Sequence, residues 1–380
     1  MNTRPIGSRM RTLRHCARQQ RQLTTSRQRL GSKEDGEADA HDVRMRHLGR
    51  RISDDYAKVR DTYDTPKNIV VLAHGLLGFS ELRVSRFLPA VQYWRGIKEA
   101  LEARGARVIC TTVPATSSIV ERAERLRDEI DEAVGSSDDV NNDCNRDNRD
   151  GDNGNDNGNN NGNGSNDRLP KINVIAHSMG GLDARYMVSQ SPPVRARVAS
   201  LVTVSTPHRG SYIADMVQEA GWLTSAAMLS ALVGAGLGSG QAFAQLTRRY
   251  VQGTFNPGTP DVPGVEYMSY GAEMTELSRA SAAERHLPLG GGNPFRVAWR
   301  YMMEVEGAND GLVSVESARW REYLGTLVGV SHIDLINWSN RARWAAAESL
   351  GLGLTPRMAK TFNAVAFYLD VADMLAKRGL

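Results

Sequence analysis

Three cysteines in 380 residues, Cys16, Cys110 and Cys144, are too few and too scattered for a disulfide framework or a familiar metal spacing. A reducing or redox-neutral compartment is the simpler reading. No apolar run reaches the roughly 18 residues that a membrane-spanning helix needs, so none is expected. Acidic residues are missing from the first thirty positions, which carry eight arginines (4, 9, 11, 14, 18, 21, 27 and 29). Taking those eight charges from the overall +4 leaves −4 for the rest. The basic character therefore belongs to this leader, and no nucleic-acid partner is expected.

The leader also lacks the apolar core of a secretory signal. Ile6, Met10, Leu13 and Ala17 recur among its arginines at helical spacing, and Thr24, Thr25 and Ser26 follow. Amphipathic, Arg-rich and acid-free is the composition of a mitochondrial transit peptide. The plainer reading is a basic tail on a cytoplasmic protein, attracted to acidic surfaces without specificity.

Residues 31–66 are polar without sustained period and read as a linker with a short helix near Asp55 to Thr62. The folded domain is expected from Lys67 to Leu380. Short apolar runs at Asn68–Ala73, Ala106–Thr112, Ile172–Ala176 and Ser200–Ser205 read as buried strands. Helical spacing at Tyr93–Arg104 and Ser117–Val134 separates them, which predicts a mostly parallel, doubly wound α/β sheet. Later strands are expected at Val265–Tyr270, Arg296–Val305 and Leu324–Val330, and a last helix over Thr355–Lys377 with Thr355-Pro356 at its start. Residues 136–168, rich in Asn, Asp and Gly, read as a disordered insertion. A calcium-binding repeat is the alternative, but its aliphatic stacking position is missing. Asn163-Gly164-Ser165 fits a glycosylation acceptor that matters only in a secreted protein. Residues 214–262, strongly apolar around Trp222 to Leu237, form an expected helical cap, read equally as fixed packing or as a lid that opens onto lipid.

One stretch organises the domain. In Asn173–Tyr186, NVIAHSMGGLDARY, an apolar strand meets Ser178 and a helix opens at Gly180-Gly181. A serine on so sharp a turn requires small residues two before and two after it, and Ala176 and Gly180 comply. A serine hydroxyl needs a histidine to take its proton and a carboxylate to hold that histidine. In doubly wound hydrolases these follow in the order Ser, acid, His at strand ends. Asp310, in the turn Glu306-Gly307-Ala308-Asn309-Asp310-Gly311, and His332, after the run ending at Val330, satisfy that order. His208 precedes every late acid and His286 has no strand before it. Asp334 is the other candidate acid, poorly placed two residues from His332. Backbone amides at Leu76, after His74-Gly75, and at Met179 stand where an oxyanion needs donors. His74 is expected to order that loop and not to act as a base.

These residues lie in VLAHGLLG (71–78), YWRGIKEALEARGARV (93–108), AHSMGGLDARY (176–186), STPHRGS (205–211), NDGLVS (309–314) and SHIDLINW (331–338). In that order the stretches resemble the α/β-hydrolase lipases, above all the fungal triacylglycerol lipases of mitochondrial type and the bacterial lipases of the Pseudomonas and Burkholderia group. The resemblance implies Ser178 as nucleophile, Asp310 as acid, His332 as base, and Leu76 and Met179 as oxyanion donors. It also implies a lipid ester substrate met in transient contact with a membrane or lipid-droplet surface. The bacterial relatives hold a structural calcium through the residue matching Asp334. Here Trp338 replaces the glutamine ligand and the second carboxylate has no assigned counterpart, and the ester chemistry requires no cofactor. A phospholipase, an acyltransferase, a hydrolase of short soluble esters and a non-catalytic lipid- or partner-binding module are the competing functions.

Overall fold

Among the described residues the main sheet has seven strands, all paired in parallel: β1 (Arg51–Ile52), β2 (Ile69–Ala73), β3 (Val108–Cys110), β4 (Ile172–His177), β5 (Val198–Val204), β6 (Glu266–Glu273) and β7 (Glu322–Val328). Their order across the sheet is β1-β7-β6-β5-β4-β2-β3. The computed structural model describes residues 49–53, 56, 59–76, 81–82, 91–94, 96–143, 170–219, 241–275, 296–337 and 362–380. The expected leader, most of the 136–168 insertion, the apolar centre of the cap at 220–240 and the helix start at Thr355-Pro356 lie outside these residues.

The central strands are largely apolar because both sheet faces are covered. Along β2, Val70 and Leu72 face one core with Ile97 and Leu101 of helix α1 (Ile97–Ala103). Ile69, Val71 and Ala73 face the other, with Ala123, Leu126 and Ile130 of α2 (Ile119–Asp143) and Ala184, Met187 and Val188 of α3 (Gly180–Gln190). The order continues with α4 (Tyr212–Glu219), α5 (Gln241–Gln245), α6 (Arg296–Val305) and α7 (Ala364–Lys377), the last packing Phe367, Val371 and Leu375 into the first core. None of the described helices is long and apolar enough to cross a membrane.

Several sequence expectations are corrected. Arg296–Val305 is the helix α6, not a strand. Ala298 and Met302, four apart, are buried against Ile213 of α4, whereas Tyr301 and Val305, also four apart, are exposed, and that is helical periodicity. Its Val, Trp and Tyr content suggested a strand, and packing overrode that preference. Arg51–Ile52, placed in the linker, is the edge strand β1, paired with Thr326 and Leu327. Two residues are too short to show a period. No helix occurs at the described positions of 55–62; this stretch straps onto α7 through Arg60 to Asp370 and Asp373 and through Asp64 N–H to Asp373 at 2.8 Å. α2 continues to Asp143, into the stretch assigned to the insertion. α7 begins at Ala364, capped by Asn363, whose side chain accepts the amides of Val365 and Ala366.

Candidate active site

β4 ends at His177, and the next residue, Ser178, has φ of 57°. A non-glycine residue there is strained and persists only where its surroundings hold it. Ser178 N–H donates to Val204 O at 2.9 Å, and Thr206 Oγ1 donates to Ser178 O at 2.8 Å. The small residues are required by space. A Cβ on Gly180 would lie 2.5 Å from His74 O, and one on Gly75 would lie 2.6 Å from Ser178 Cβ. The turn, its flanking glycines and the oxyanion loop are therefore packed backbone against backbone.

The three residues expected to meet are brought together. His332 Nε2 stands 2.9 Å from Ser178 Oγ, and its Nδ1 is 2.6 Å from Asp310 Oδ2. Asp310 is fully buried, and its Oδ1 accepts the amides of Leu312 at 3.0 Å and Val313 at 2.8 Å. His332 N–H also donates to Asp310 O at 3.0 Å, fixing one loop on the other. With Nδ1 donating to a carboxylate, Nε2 is left as the acceptor facing the hydroxyl. That arrangement can draw a proton from Ser178 and stabilise the resulting imidazolium. Two other buried polar residues nearby along the chain are bonded elsewhere: Ser200 Oγ donates to Asn173 at 2.9 Å, and His208 Nε2 pairs with Thr203 Oγ1 at 2.9 Å.

Leu76 and Met179 meet in one apolar cluster with Ile119, Leu182, Ala214 and Leu246. Gly75 N–H is already taken by Tyr93 Oη at 3.0 Å, so the amide that this loop can offer an oxyanion is the next one, Leu76. His74 is buried. Its Nδ1–H donates to Gly75 O at 2.9 Å, and its Nε2 accepts from Val113 N–H at 3.1 Å. Burial, seconded by the nearby Arg122 guanidinium, lowers its pKa to about 4. Both ring nitrogens are thus engaged within the framework of the loop.

Sequence reasoning missed the guanidinium beneath this loop. Arg122 of α2 is fully buried and donates to Asp183 Oδ2 through Nε (2.9 Å) and Nη2 (2.7 Å). Nη2 also reaches His74 O and Gly75 O, both at 3.1 Å, and Nη1 reaches Pro114 O at 2.7 Å. Burial raises the Asp183 carboxyl above its ordinary value, and the Arg122 guanidinium opposes that rise. One signal was available: on the helical wheel of α2, Arg122 falls on the same face as Ile119 and Leu126.

Asp334 does not join the Ser178 group. Its Oδ2 accepts from Ser331 N–H at 2.8 Å and Ser331 Oγ–H at 2.6 Å, shaping the turn that carries His332. Among the described residues no three His, Cys, Asp or Glu side chains are grouped so as to hold a metal ion.

A family model described as "PGAP1-like alpha/beta domain" matches residues 162–219. The chain is similar to triacylglycerol lipase 2 of Saccharomyces cerevisiae, 30% identical over 363 residues that cover 86% of this chain and 96% of that protein. It is also similar to a triacylglycerol lipase of Burkholderia plantarii, 30% identical over 166 residues, 43% of this chain and 36% of that protein. Among solved structures, lipase 1 from Pelosinus fermentans superposes with a TM-score of 0.51 at 17% identity, over 82% of this chain and 99% of that one. The fungal and Burkholderia relatives meet the resemblance read from the motifs. The sheet, its helices on both faces and the strand-turn-helix at Ser178 are those of the α/β-hydrolase fold.

Proposed function

Because the chain belongs to the triacylglycerol lipase family, we propose that it hydrolyses acylglycerol esters through an acyl-enzyme on Ser178. The observation that carries this reading is the hydrogen-bond chain from Ser178 Oγ through His332 to Asp310. Ser178 Oγ attacks the ester carbonyl as His332 Nε2 takes its proton, and Asp310 steadies the imidazolium at Nδ1. The carbonyl electron pair moves onto oxygen, where the amides of Leu76 and Met179 donate to the new charge. Collapse breaks the ester C–O bond, and the proton on His332 passes to the departing glyceride alcohol. Water then gives a proton to His332 as its oxygen attacks the acyl carbon, and collapse breaks the bond to Ser178 Oγ, which takes the proton back from His332 as the fatty acid leaves.

The test is the initial rate on emulsified trioleoylglycerol beside p-nitrophenyl esters from acetyl to palmitoyl. Rates are expected to climb with acyl length and to rise again once substrate passes its solubility limit. Turnover confined to the acetyl ester would make this a soluble-ester hydrolase. Turnover confined to phospholipid, or to acyl transfer onto an alcohol, would substitute those reactions for acylglycerol hydrolysis.

Two finer readings go with it. The apolar, glycine-punctuated stretch from Trp222 to Leu237 supports transient contact with a membrane or lipid-droplet surface, and the jump in rate at the solubility limit tests that contact. The Arg-rich, acid-free residues 1–30 support delivery to mitochondria. A reporter fused behind residues 1–30 is expected to collect there, and a diffuse reporter would remove the reading.

A further inference from the structure

Tyr93 is buried between the oxyanion loop and the nucleophile strand. Its Oη accepts Gly75 N–H at 3.0 Å and lies 2.6 Å from His177 Nδ1. The Gly75 amide donates, and the Tyr93 hydroxyl bonds His177 Nδ1 with a direction set by the tautomer of that ring. The His177 ring is itself buried, and its centroid is 4.6 Å from that of His332 at a tilt of 43°. Tyr93 and Trp94 enclose it further, with centroids at 5.9 and 6.5 Å.

We propose that Tyr93 and His177 are a positioning pair that ties the oxyanion loop to the catalytic base: Tyr93 sets the Gly75 peptide, and the His177 ring is the seat that aims His332 at Ser178. The proposal rests on the roles assigned above to Ser178, His332 and Leu76. Neither member of the pair touches the reacting atoms. Gly75 N–H belongs to the peptide immediately before the one that offers Leu76 N–H, so holding the first constrains the second. A charge on His177 would oppose the imidazolium that His332 becomes in the transition state. Burial and the neighbouring His332 both hold the His177 pKa well below its ordinary value, consistent with that geometry.

The experiment compares full-length wild type, Tyr93→Phe, His177→Phe and the double variant on a long-chain p-nitrophenyl ester, with kcat and KM separated and the thermal midpoint recorded. Tyr93→Phe keeps the ring and removes one oxygen. It is expected to lower kcat about 10- to 100-fold, short of the ~10²–10³-fold that follows loss of an oxyanion donor outright, with KM changed less than about threefold. His177→Phe keeps a flat ring against His332 but cannot hydrogen-bond Tyr93 Oη, and a similar fall in kcat is expected. Because both substitutions break the same chain, the double variant is expected to match the weaker single variant and not the product of the two losses. An unchanged kcat in Tyr93→Phe, or losses that multiply in the double variant, would overturn the pair. If His177→Phe does not fold, kcat in Tyr93→Phe decides alone. Wild-type turnover that disappears in Ser178→Ala establishes the underlying reading separately, so the two failures are distinguishable.

Discussion

Replacing Ser178 with alanine is expected to lower kcat on long-chain esters by about 10⁴- to 10⁶-fold while the protein stays folded. The size follows from the group removed. Oγ is the atom that forms the acyl bond, and it is the hydrogen-bond partner of His332 Nε2 at 2.9 Å. Without it the base has no proton to take, and the amides of Leu76 and Met179 have no tetrahedral oxyanion to stabilise unless water attacks directly. A residue of that unassisted kind survives in comparable sites, about 10³- to 10⁴-fold above the uncatalysed rate. The backbone should tolerate the change, because φ of 57° is held by the bonds from Ser178 N–H to Val204 O and from Thr206 Oγ1 to Ser178 O, neither of which uses the lost hydroxyl. The measurement is the initial rate on p-nitrophenyl palmitate, with circular dichroism as the folding control. A folded variant that kept about a hundredth of the wild-type rate would remove Ser178 from the role of nucleophile.

The second large effect is expected at Arg122, which looks from the sequence like an ordinary helix residue. Arg122→Met strips the counter-charge from the buried Asp183 carboxylate and the donors from the carbonyls of His74, Gly75 and Pro114. Breaking a buried ion pair by removing one partner costs roughly 3–5 kcal/mol, because the remaining charge stays buried. The denaturant midpoint should fall accordingly. Activity should fall as well, because the loop that carries Leu76 is held from beneath by this guanidinium. Adding Asp183→Leu removes the stranded charge, so Arg122→Met/Asp183→Leu should regain much of the stability and little of the activity. A midpoint in Arg122→Met within about 1 kcal/mol of wild type would mean that the pair contributes no more than an exposed one. Full activity in the double variant would mean that the loop does not need its donors.

The parts legible in the chain were those set by neighbours in sequence. The runs at Asn68–Ala73, Ile172–Ala176 and Ser200–Ser205 announce their strands because a strand covered on both faces is apolar at most positions. The turn at Ser178 does so because Ala176 and Gly180 answer a steric demand from two residues away. The order of Ser178, Asp310 and His332 followed from each standing just beyond a strand or turn signal. Arg296–Val305 misled because its residue types favour a strand, whereas the burial of Ala298 and Met302 against Ile213 makes it a helix.

What stayed hidden depends on partners far apart along the chain. Arg122 and Asp183 are separated by 61 positions, and Tyr93 and His177 by 84. Arg51–Ile52 gains its meaning as a strand from Thr326 and Leu327. Local sterics and burial period act over a few residues and leave a readable pattern. The donors and acceptors that surround a buried polar group are chosen by which strands lie side by side, and no local pattern encodes that choice. The residues of the chemistry were thus written in the chain, and the framework that holds the oxyanion loop and the base in register came into being when β2 paired with β4.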